Sequence, residues 1–159
     1  MAIQIRSQRR DPTHNWQINP ARNWQINPAR NWQINPARNW QINPARNWQI
    51  NPARNWQINP ARNMQINPFR SSDISGFYVF EVNGFGCCFF TVSAGNGCML
   101  IFDDKLVFKY LAVASGNPLG MSYSVFNVPT LEYVAFLSQN SCGGYNWYSL
   151  TGEWKFFMV

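Results

Sequence analysis

Two patterns of apolar and polar positions divide the chain near residue 70. Upstream of it, an octad, Asn-Trp-Gln-Ile-Asn-Pro-Ala-Arg, occurs six times without change over residues 15–62. A seventh copy, 63–70, has Met64 for tryptophan and Phe69 for alanine. Within the tail 1–14, Asp11-Pro12-Thr13-His14 stands as one degenerate repeat, where an earlier copy would end. Such self-similarity decides the architecture. A proline every eight residues lets no long helix run through. It also biases the preceding asparagine toward extended backbone. Trp16 and Ile18 are two apart, so an extended segment puts both on one face, with Asn15 and Gln17 on the other. Asn-Pro-Ala-Arg then reads as a turn with proline at its second position. The octad becomes a short strand plus a corner. Two octads form one coil of a thin solenoid, with Trp and Ile inside and Asn, Gln and Arg outside. A competing reading is a single helical turn, with Asn19 as N-cap and Pro20 at the first helical position. A flexible linker is the third. One octad buries too little to stand alone, so stacking must order it.

Beyond residue 77 the pattern alternates as strands do, and polar turns interrupt it. The aligned aromatics Phe80, Phe102, Phe126 and Tyr148 are 22, 24 and 22 residues apart. A turn follows each: Asn83-Gly84, Asp103-Asp104-Lys105, Pro129-Thr130 and Thr151-Gly152. Asn-Gly between β-rich runs is a strong hairpin signal. Small polar links, 93–97, 114–118 and 138–141, separate the units. The fold class expected is therefore all-β. Four antiparallel hairpins (71–159) close into a small barrel or flower, preceded by the octapeptide array (15–70), which is a thin solenoid or flexible. Closure removes the sheet edges that isolated hairpins would leave.

These four units, of the form aromatic–polar–x–x–Gly–x–x–aromatic/aliphatic, resemble the four-fold β-flower family. That family builds a shallow square barrel of hairpin petals, related in shape to the Tubby C-terminal-like fold. Its members sometimes carry amino-terminal runs containing Ile-Asn-Pro, which the array also resembles. The likeness covers residues 77–159 for the fold and 15–70 for the repeats. Cys87-Cys88 and Pro129-Thr130 depart from the pattern, because turn glycines there are replaced or displaced. The resemblance brings no activity and no catalytic residues.

Charge sharpens the division. Residues 1–70 hold ten arginines and one acid, an excess of nine positive charges. Residues 71–159 hold three lysines and six acids. Arginine pairs with phosphates, and tryptophan stacks on bases or sits at a membrane interface. The candidate binding residues are thus Arg22, Arg30, Arg38, Arg46, Arg54 and Arg62 with Trp16, Trp24, Trp32, Trp40, Trp48 and Trp56. The plainer reading makes tryptophan core and arginine a solubilising exterior. If the array is ordered, the six tryptophans should share one environment. At the boundary, Phe69 is expected to dock on the phenylalanine-rich domain.

Catalytic chemistry finds little support. His14 is the one histidine, and no Cys-x-x-Cys spacing exists. A zinc site has weak support, and no nucleophilic triad or phosphate loop can be assembled. Asp103-Asp104 reads as a turn pair that bonds backbone. The cysteines, Cys87, Cys88, Cys98 and Cys142, read as buried free thiols of a reducing compartment, with a Cys98–Cys142 bridge as the alternative. No apolar run is long enough to span a membrane and no secretory signal is visible, which points to the cytoplasm. No cofactor is expected. The functional expectation is a non-catalytic structural or interaction protein that docks a protein partner or itself. The alternative is a surface binder of anionic lipid or nucleic acid through the array.

Overall fold

The structure, a computed structural model, describes residues 11–115 and 122–159. The end of the expected link at 114–118 therefore lies outside the described residues.

Each octad forms two corners. The first is a 3-10 turn over its Trp-Gln-Ile, from Trp16–Ile18 to Trp56–Ile58. The extended reading of this segment is corrected, and the cause is local. Asn15 takes an extended φ of −119°, and its side-chain oxygen accepts the Gln17 amide at 3.1 Å. The Ile18 and Asn19 amides then close back on the Asn15 and Trp16 carbonyls at 3.3 and 3.2 Å. A short asparagine side chain offers the backbone this alternative to a strand ladder. The second corner is an α-turn. The Asn23 amide donates to the Asn19 carbonyl at 2.8 Å, and the Asn19 side chain accepts from Ala21 at 3.0 Å. This is the single helical turn with Asn19 as cap and Pro20 at its first position. The degenerate copy folds alike: the Asn15 amide reaches the Asp11 carbonyl at 2.8 Å, and Thr13 donates to Asp11 Oδ1 at 2.9 Å.

One octad, not two, makes a coil. The Asn19 amide group donates to the Pro12 carbonyl at 3.1 Å, and that of Asn23 to Gln17 at 2.7 Å. Both bonds join consecutive octads, and they recur along the array. The asparagines are therefore the internal ladder rather than outer rows, and Asn23, Asn43, Asn47 and Asn67 are buried. The expected Trp/Ile interior is also corrected. Ile18 through Ile66 and Pro12 through Pro60 are buried at every repeat, while the six tryptophans are 53–56% exposed. A 3-10 turn rotates each residue about a third of a turn from the last, so positions two apart no longer share a face.

Eight strands follow in an antiparallel meander: β1 (Tyr78–Glu81), β2 (Cys87–Gly95), β3 (Cys98–Asp103), β4 (Phe108–Ala114), β5 (Ser122–Asn127), β6 (Tyr133–Gln139), β7 (Tyr145–Ser149) and β8 (Trp154–Met158). β1 pairs with β8, Phe80 opposite Phe157, and closes the barrel. The lumen is filled. Trp147 of β7 lies 6.3 Å from Phe89 of β2 and 5.2 Å from Tyr110 of β4, contacts that only cross the interior.

The outer face is equally apolar. Along β3, Met99 and Ile101 belong to the luminal cluster, whereas Cys98, Leu100 and Phe102 face the other way. That second cluster also holds Phe90, Val92, Leu111, Val113 and Phe126, and the row Ile34, Ile42, Ile50, Ile58 and Ile66 completes it. The array is thus laid over the outside of the barrel, and the two share one core. Pro12 and Thr13 come up to Gly152 in the β7–β8 turn, Ser124 of β5 donates to the Ile26 carbonyl at 3.1 Å, and the later coils reach β2.

The turns β1–β2, β3–β4, β5–β6 and β7–β8 each end in a left-handed residue: Phe85, Leu106, Leu131 and Gly152. Three of these positions carry bulky side chains, but a Cβ on Gly152 would stand 2.8 Å from Thr13 Cγ2. Gly152→Leu, the residue of two sibling turns, should therefore cost about 1–3 kcal/mol through overpacking against the first coil. Denaturant unfolding checks this, and the penalty should shrink in a chain lacking residues 1–14.

Candidate functional site

The array has a buried side and a displayed side. Isoleucine and proline point inward, asparagine is spent on the ladder, and tryptophan, glutamine and arginine remain outside. Trp16, Trp24, Trp32, Trp40, Trp48 and Trp56 sit in near-identical, half-exposed places. Arg22, Arg30, Arg38, Arg46, Arg54 and Arg62 are all exposed. Among the described residues the ion pairs are Asp11–His14, Asp103–Lys109 and Glu153–Lys155, and none of them uses an arginine. The repeat brings the two residue types together. Trp24, Arg30 and Trp32 line one cleft of 380 Å³ with Gln25, Asn31 and Gln33, and Ser115 of the barrel rim forms part of its wall. A second groove of 490 Å³ runs beside Trp40, bordered by Gln33, Gln41 and Gln49 and, on the barrel, by Asn96 and Ser115.

The two ends of the barrel meet different parts of the octad. The Asn-Trp-Gln corners border the rim of Asn96 and Ser115. The Pro-Ala corners border the opposite rim, where Thr13 meets Gly152 and Phe69 lines a cleft with Asp104. Phe69 does not dock as expected: it is 68% exposed and forms one wall of an apolar cleft with Tyr78, Cys87, Cys88 and Phe90. The buried junction is made instead by Ile66, which occupies the invariant isoleucine position.

The remaining candidates are structural. Asp103 Oδ1 accepts from the Lys105 and Val107 amides, both at 2.9 Å, and so shapes its turn. His14 bonds Asp11 at 2.7 Å on the exposed surface. No group of three His, Cys, Asp or Glu could hold a metal among the described residues. All four cysteines are free thiols, and only Cys98 is buried, which corrects the expectation of burial for the others. Burial pushes the Cys98 thiol up to about 12. A thiol reagent at neutral pH should label Cys142 in the native protein and spare Cys98 until the chain unfolds, because the thiolate is the reacting form. Counting thiols with and without denaturant checks this. No described helix is long and apolar enough to cross a membrane.

The class that fold and surface define is an all-β closed barrel clad by an octapeptide array. No family model, curated protein or solved structure matches the chain.

Proposed function

We propose that this is a non-catalytic interaction protein, in which the barrel is a scaffold and the array a displayed binding face. The observation that carries the reading is the row of half-exposed indoles interleaved with arginines that, among the described residues, pair with no carboxylate. Residues 15–70 contain no Asp or Glu at all, so the face is positive throughout. Regular exposed aromatic surface is costly to leave in water and marks interaction sites. The occupant would be anionic, and salt would weaken its binding. The experiment is binding of the full chain to immobilised anionic ligands over a salt series. A variant with Arg22, Arg30, Arg38, Arg46, Arg54 and Arg62 changed to Gln should lose retention while staying folded. Equal retention of the variant and the parent would refute the role of the face.

The four-fold, β-flower reading of the barrel belongs to the same proposal. It is supported by a register shift beside each aligned aromatic, at Val79/Phe80, Ile101/Phe102, Val125/Phe126 and Trp147/Tyr148. Four free thiols suit a reducing compartment such as the cytoplasm.

A further inference from the structure

We propose that the Trp/Arg face is a platform for single-stranded nucleic acid, with bases entering the clefts between consecutive indoles and phosphates held by the arginines. The proposal rests on the reading of that face as a binding surface and names its occupant. The cleft of Trp24, Arg30 and Trp32 offers what a nucleotide needs: two indoles, a guanidinium, and the exposed Gln25 and Gln33, whose amides can both donate and accept. Aromatic faces stack on any base, and a guanidinium meets phosphate through paired N–H groups. None of the six indoles is engaged in a ring pair among the described residues, and about half of each is exposed.

Periodicity selects a polymer over a free nucleotide. Whatever fits one cleft meets the same residues eight positions further on, and a chain with a repeating charge gains from each successive site. A membrane is a poorer match. The indoles are only about half exposed, and amide side chains flank them. Laying that surface into hydrocarbon would strip water from groups with no replacement partner.

The test uses the full chain and three probes: an oligothymidine about 20 nucleotides long, inorganic polyphosphate, and vesicles containing phosphatidylserine. Oligothymidine should bind with quenching of indole fluorescence. Its log K against log salt should fall with a slope of about −4, as expected when six arginines displace counterions from a single strand. Trp40→Ala should weaken binding on the order of 10-fold, and Arg38→Gln should reduce the slope by about 0.7. If Trp40→Ala proves less stable, Trp40→Phe keeps a stacking ring and should bind within a few-fold of the parent. Polyphosphate binding as tight as oligothymidine, with no quenching, would overturn the base-stacking claim and leave only charge. Vesicle binding without oligonucleotide binding would overturn it in favour of a lipid surface. Failure of all three probes would remove the binding-face reading itself.

Discussion

Ile50→Asn should strongly destabilise the barrel together with the array. Ile50 has no exposed surface and lies in the middle of the isoleucine row that covers the outer barrel face. Its turn, Trp48–Ile50, lies against β2. Truncating a buried isoleucine to alanine costs about 2–5 kcal/mol. Asparagine adds an amide with no partner in an apolar cluster, a further penalty of about 1–3 kcal/mol. A domain of this size is stable by about 5–15 kcal/mol in total, so one substitution removes a large share. Trp48→Ala, two residues away on the half-exposed side, should cost distinctly less. Guanidinium titration of both variants measures the difference. Equal losses would mean that isoleucine is not the seam.

Gly144→Ala should be among the most damaging single methyls in the barrel. A Cβ at Gly144 runs into the carbonyl oxygen of Met158, on the adjoining strand β8. The obstacle is backbone, so no side-chain rotation relieves it. Asn140 tightens the corner further, accepting the Gly144 amide at 3.0 Å and donating to the Met158 carbonyl at 3.3 Å. Parting β8 from this corner strains the β1–β8 seam, so the loss should reach about 3 kcal/mol or more. Gly143 is the control. It has a φ of +85° but open space around its Cβ position. Gly143→Ala should therefore cost only the left-handed penalty, about 1–2 kcal/mol. The order of the two unfolding midpoints decides whether Met158 is the obstacle.

Much of the barrel could be read from residue order. Strand-like alternation and polar turns point to an all-β second half, because a meander pairs neighbours in sequence and needs only local signals. The octad was legible as a unit but not in its conformation. Spacing two between Trp16 and Ile18 suits a strand, yet no neighbouring strand exists there to take the backbone bonds. Asparagine side chains take them instead, and the 3-10 turn turns tryptophan outward. The same change leaves the indoles, readable from sequence either as core or as binding residues, on the displayed side. What alternation alone did not expose was the seam between the halves. Its signal lies in Met99-Leu100-Ile101-Phe102 and Tyr110-Leu111-Ala112-Val113, which are apolar without a break. Unbroken runs belong to strands buried on both faces. A barrel with a filled lumen then needs a cover outside, and the isoleucine at every eighth residue supplies it. The size of Phe69 suggests burial, but the invariant isoleucine position already makes the junction at Ile66 and leaves Phe69 exposed.

The shared core is tested most directly by following both halves through one denaturant titration of the unmodified chain. Six of the eight tryptophans lie in the array, so indole fluorescence reports its unfolding. The eight strands carry the β-sheet signal in far-ultraviolet circular dichroism, so that signal reports the barrel. An array and barrel that share one core should lose structure at a single midpoint in both signals. An indole transition completed while the β-sheet signal is still native would contradict the account.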